Sequence, residues 1–88
     1  MSVAGQIHSI LTNEFAPSLL VVQDDSAKHA GHAGARPSGE SHFTVNIVSE
    51  KFRGMSKVAR HRAVYAPLQP LFNAGLHALA IDAKAPGE

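Results

Sequence analysis

The run His42-Phe43-Thr44-Val45-Asn46-Ile47-Val48 alternates apolar and polar residues without a break. Successive side chains of an extended strand point to opposite faces, so Phe43, Val45 and Ile47 form one apolar face, and His42, Thr44 and Asn46 turn away from it. Such a strand cannot stand alone. The chain has 88 residues, 44% of them hydrophobic and 17% charged, which is a globular composition with room for one small core. A single domain over residues 1–88 is therefore expected.

The covering elements are legible on either side. Val3, Ile7, Ile10, Leu11 and Phe15 recur at three- and four-residue intervals behind Ser2, a suitable N-cap, and Pro17 ends the helix they imply. Leu19-Leu20-Val21-Val22-Gln23 is a short β-favouring run closed by Asp24-Asp25-Ser26. Residues 24–41 form the connection to the alternating strand. Residues 27–41 hold three glycines, one proline and two histidines with few large apolar residues, the make-up of an exposed loop.

Beyond the alternating strand, Ser56 is placed to cap a helix running through Tyr65, with Met55, Val58, Ala59, Ala63, Tyr65 and Ala66 on its inner arc. Arg62 falls amid that arc, where it must snorkel or find an acceptor, while Lys57, Arg60, His61 and Val64 take the outer one. Pro67 is expected to end this helix and begin a second through Pro70, Leu71 and Phe72. Asn73-Ala74-Gly75 stops it. Leu76-His77-Ala78-Leu79-Ala80-Ile81-Asp82 then alternates as a third strand with His77, Leu79 and Ile81 on one face, and residues 84–88 are expected to fray. The order α-β-β-α-α-β implies an α+β domain whose three-stranded mixed sheet has an antiparallel pair and a right-handed helical crossover to a parallel third strand.

Composition excludes several classes of function. There is no cysteine, so disulfides, thiol chemistry and thiolate-built metal sites within this chain are ruled out, and any metal must take nitrogen or oxygen ligands. Six histidines are the unusual supply. A formal charge of +1 gives little argument for nucleic acid, and no apolar stretch approaches the roughly 20 residues that span a bilayer. The opening Met-Ser-Val-Ala-Gly-Gln lacks a basic segment followed by an apolar one, so a cytoplasmic protein is expected. No nucleophile-elbow or metal-hydrolase spacing appears, which argues against catalysis.

Asp25-Ser26 followed by His29, then Ser41-His42-Phe43, Val48-Ser49-Glu50-Lys51-Phe52-Arg53-Gly54, Arg60-His61-Arg62-Ala63-Val64-Tyr65 and Leu76-His77-Ala78-Leu79-Ala80-Ile81 together resemble the BolA family. The resemblance spans nearly the whole chain. It implies a fold similar to the type II KH domain and a non-enzymatic partner of monothiol glutaredoxins. In such a heterodimer a 2Fe-2S cluster is shared between a glutaredoxin thiolate, a glutathione thiolate and ligands from the BolA-like chain, so no cofactor is expected in the isolated chain, a monomer or weak homodimer.

The family register puts one ligand on His77 and the other on a loop histidine, His29, with His32 as the alternative. Read from position alone, His77 is a half-buried strand histidine and the loop pair is solvated, so the family register carries these assignments. The basic set Lys51, Arg53, Lys57 and Arg60 is a candidate contact patch for a partner or for DNA. A KH-like DNA-binding transcriptional regulator is the competing reading. The sequence supports it less, because the one Gly-X-X-Gly string, Gly31-His32-Ala33-Gly34, lies between strands, whereas a KH module places it between helices.

Overall fold

The computed structural model describes residues 2–25 and 42–88. Helix α1 (Val3–Phe15) starts on Ser2, whose hydroxyl accepts from the Gly5 amide at 3.0 Å, and stops where Ala16 turns left-handed at φ 43°. Ile7, Leu11 and Phe15 form its buried stripe. Strand β1 (Leu19–Asp24) follows and pairs antiparallel with β2 (His42–Val48), Leu19 facing Val48 and Asp24 facing Phe43. The alternation in β2 is realised as expected: Phe43, Val45 and Ile47 are buried and the residues between them half-buried.

A 3-10 turn (Glu50–Phe52) and Gly54, at φ 80°, lead to α2 (Lys57–Asn73), capped by Ser56. Strand β3 (Ala78–Lys84) then joins β2 in parallel, giving the order β1-β2-β3. The result is a three-stranded mixed sheet with two helices packed on one core, in which Val64, Leu68, Phe52, Ile47, Ile7 and Leu11 are fully buried. The Phe15 and Phe52 rings meet at 4.9 Å.

The expected break at Pro67 does not occur: α2 runs through Pro67 and Pro70 as one helix. Each proline removes one backbone donor, yet continuing the helix buries Leu68 completely and packs Leu71 and Phe72 against the core. That continuation also resets the helical face. Val64 and Leu68 define the buried stripe, whereas Val58 is 60% exposed and Ala66 and Arg62 lie outside. The face of a helix ending at Pro67 differs from that of the full helix, and the residue needing an acceptor is Arg60, not Arg62.

Two further boundaries move. The third strand starts at Ala78, two residues later than expected, so His77 precedes it and is exposed instead of sharing the face of Leu79 and Ile81. Residues 84–88, expected to fray, are fastened. Lys84 pairs in β3, Ala85 is buried, and Glu88 Oε1 and Oε2 accept from the Arg60 guanidinium at 2.5 and 2.9 Å.

Candidate functional site

The end of α2 sets the position of His77. Ala74 closes the helix and Gly75, at φ 122°, adopts a conformation that glycine tolerates best. The Gly75 amide donates to the Phe72 carbonyl at 3.2 Å and the Leu76 amide to the Leu71 carbonyl at 2.9 Å, the pair of bonds that makes a Schellman ending. Leu76 is then buried as an anchor and His77 emerges exposed immediately after it. Helix termination and burial of one leucine thus deliver an imidazole to the leading end of β3.

A second imidazole waits there. His42 opens β2 and pairs with Ala78, and its ring centroid lies 5.1 Å from that of His77 with 50° between the planes. His42 lies on the polar face of β2, where its place in the alternation puts it. It is half-buried and pairs with His77. The signal was present in the sequence: with β2 and β3 parallel, the residues opening the two strands come side by side, and both begin with or just after a histidine.

The same end of the sheet receives both ends of the connection from β1. The Asp25 amide donates to the His42 carbonyl at 2.8 Å, and the Thr44 hydroxyl donates to Asp25 Oδ2. His29 and His32 themselves lie outside the described residues. Among the described residues no group of three or more His, Cys, Asp or Glu side chains converges as a self-sufficient metal site. Two imidazoles offer nitrogen donors of a kind that iron accepts, fewer than a complete metal site needs.

The basic candidates do not form one open patch. Lys51 Nζ donates to the Glu14 carbonyl at 2.7 Å, at the end of α1, where a cation complements the helix dipole. Arg53 is bidentate to Glu50, at 2.6 and 2.9 Å, and reaches the Pro86 carbonyl. The Arg53 guanidinium holds the Glu50 carboxyl below its ordinary range, and Glu50 in turn raises the guanidinium. Arg60 binds Glu88, the Met55 carbonyl and the Ala83 carbonyl, and its side chain is only 12% exposed. Lys57 is left without a hydrogen bond or ion pair among the described residues, as is the neighbouring Arg62.

On the side of α2 that faces β3, His61, Tyr65 and Phe72 stack, with centroids 4.4 and 4.8 Å apart. The Tyr65 hydroxyl donates to the Leu79 carbonyl at 2.9 Å, and burial pushes its pKa up. No described helix is long and apolar enough to cross a membrane.

Comparison with known proteins agrees with this architecture. Over its full length the chain is 49% identical to a Sinorhizobium protein described as "Uncharacterized protein in cobS 5'region", covering 96% of that protein. It is 48% identical to the SufE-like protein 1, chloroplastic/mitochondrial, of Arabidopsis thaliana, aligning 94% of this chain with only 24% of that one. The solved structure of BolA1 from Arabidopsis thaliana superposes with a TM-score of 0.87 at 45% identity, covering 98% of this chain and 94% of that one. The family model described as BolA-like protein matches residues 11–88, and the chain belongs to the BolA-like family.

Proposed function

We propose that the chain is a non-enzymatic accessory protein in iron-sulfur cluster trafficking or iron sensing, forming a heterodimer with a monothiol glutaredoxin and sharing a 2Fe-2S cluster with it. The observation that carries this reading is the pairing of His42 and His77 at 5.1 Å where the connection between β1 and β2 leaves and re-enters the sheet. The cluster is cargo. Its thiolate ligands come from glutaredoxin and glutathione, since this chain has no cysteine.

His77 supplies one imidazole and a loop histidine, His29 or His32, the other. His29 lies four residues beyond Asp25 in the sequence, a span of at most about 14 Å of extended chain. His42 stands beside His77 as an alternative or orienting imidazole. Histidine ligation makes a cluster less negative than thiolate ligation does, and only neutral imidazole binds, so protonation to imidazolium competes with the metal and such a site can release what it holds.

The test is visible absorption and circular dichroism of the chain mixed anaerobically with a monothiol glutaredoxin, glutathione, ferrous iron and sulfide, against each protein alone. A spectrum confined to the mixture, and lost or shifted in His77→Ala, is expected. An unchanged spectrum on adding this chain would refute the shared cluster. His29→Ala and His32→Ala, made separately, assign the loop ligand.

A further inference from the structure

We infer that the N-terminal half of α2, with the adjoining stretch of β3, is a docking site for a protein segment in which one large apolar side chain is flanked by carboxylates. Val58 is 60% exposed at the centre of this surface, although it is an aliphatic residue on a helix that buries others well. With Lys57, His61 and Arg62 it lines an open depression of about 320 Å³ on the helix surface. That space accepts one large aliphatic side chain. A second cavity of about 270 Å³ shares Lys57 and His61 as its wall and is completed by Arg60, Ile81, Asp82 and Ala83.

The charge of the surface selects the partner. Helix α2 has no acidic residue over its 17 positions, while Lys57, Arg60 and Arg62 all lie in its first two turns. Arg60 is already neutralised by Glu88, and Asp82 in the second cavity sits 3.8 Å from Lys84. Lys57 and Arg62 therefore flank the apolar cavity as cations without a carboxylate partner among the described residues. Exposed ion pairs contribute little alone, whereas an anchor buried in a pocket with charges around its rim gives both affinity and register.

Nucleic acid is the poorer occupant. The helical tyrosine that could stack a base already stacks with both His61 and Phe72, and the apolar cavity offers Val58 and aliphatic stems instead of an aromatic face. The surface is also separate from the histidine pair. It borders β3 at Ile81, Asp82 and Ala83, three to five residues beyond the strand end next to His77, or roughly 10–17 Å along the strand. Occupation of one site leaves the other open, so this inference does not rest on the cluster reading.

The experiment is amide shift mapping of the full chain by NMR with the acetylated peptide Glu-Asp-Leu-Asp-Glu. Shifts are expected at Lys57, Val58, His61, Arg62 and Ile81, with a dissociation constant on the order of 1 mM that weakens with salt. Replacing the central leucine by alanine should weaken binding about tenfold. Val58→Asp, or Arg62→Glu should the first variant unfold, should abolish the shifts while the far-ultraviolet spectrum stays native. No shifts at millimolar peptide, or equal binding of the alanine peptide, would overturn the inference. A short single-stranded oligothymidine perturbing the same residues at lower concentration than the peptide would overturn it in favour of nucleic acid.

Discussion

Arg60 and Glu88 clasp each other across the carboxyl-terminal end of β3, with guanidinium-to-carboxylate distances of 2.5 and 2.9 Å. Arg60 also donates to the Met55 and Ala83 carbonyls, so one side chain ties the turn before α2 to the end of the sheet. The Ala85 amide adds a bond to Glu88 Oε1 at 3.0 Å. Together the Arg60 guanidinium and that amide lower the Glu88 carboxyl to about 2. A folded-state pKa below the ordinary value of 4.5 means that the unfolded chain binds the proton first as pH falls. The contribution is thus fully present above pH 4.5 and is lost as pH drops towards 2. Thermal melts of the wild type and Glu88→Gln should differ at pH 6 and converge by about pH 2; a difference independent of pH would show that the charge is irrelevant.

Ser49 is the buried polar residue of the described core, 2% exposed. Its hydroxyl donates to the Phe15 carbonyl at 2.7 Å, and its oxygen accepts from the Lys51 amide at 3.2 Å. It thereby satisfies a carbonyl at the end of α1 and caps the 3-10 turn with one side chain. Ser49→Ala leaves that buried carbonyl unpaired and should cost about 1–3 kcal/mol. Urea unfolding should show a lower midpoint with an unchanged slope. A midpoint equal to the wild type would mean that water replaces the hydroxyl at no cost.

Much of the fold was legible because its signals are local. The alternation of β2, the caps Ser2 and Ser56 and the stop at Gly75 each depend on a few neighbouring residues, and each appears where expected. What was not legible is the course of α2 across Pro67, because the outcome is a contest between a local loss and a tertiary gain. The loss is a backbone bond and ring crowding at each proline, about 3 kcal/mol relative to alanine. The gain is the full burial of Leu68 and the packing of Leu71 and Phe72, which only the assembled sheet provides.

This contest makes Pro70 a test. Its side chain is exposed, so Pro70→Ala restores a helical donor towards the Ala66 carbonyl while removing little packing. The variant should be more stable by about 1–2 kcal/mol, the helical gain being partly offset by the greater freedom of the unfolded chain. Leu68→Ala should cost about 2–5 kcal/mol. If Pro70→Ala were destabilising, the proline would be fixing the geometry of the helix end, and with it Leu76 and His77.

The candidate site was legible in part, again for a physical reason. The family register points to His77, but the sequence of β2 alone does not single out His42, because a single strand shows only which face a residue takes. Parallel pairing of β2 and β3 is needed to see that two strand openings coincide. The basic set was misleading in the opposite sense. Lys51, Arg53 and Arg60 look available in sequence, yet each is engaged by a carbonyl or carboxylate that folding brings from 3 to 37 positions away.

The two imidazoles also allow structural and ligand roles to be separated. His77 is exposed and caps no helix, and His42 sits at the first residue of β2, so neither supports the core directly. His77→Ala should leave thermal stability within about 0.5 kcal/mol of the wild type, the range of ordinary surface substitutions. Its visible spectrum in the mixture with glutaredoxin should nevertheless be lost or shifted. His42→Ala should alter that spectrum with the fold intact, because in the proposed site the ring 5.1 Å from His77 would either bind iron or orient the imidazole that does. His61→Ala, at the far end of the groove between α2 and β3, is the control and should leave the spectrum unchanged. Equal spectral effects in all three variants would show that the cluster senses general loss of histidine and would remove the special standing of the His42 and His77 pair.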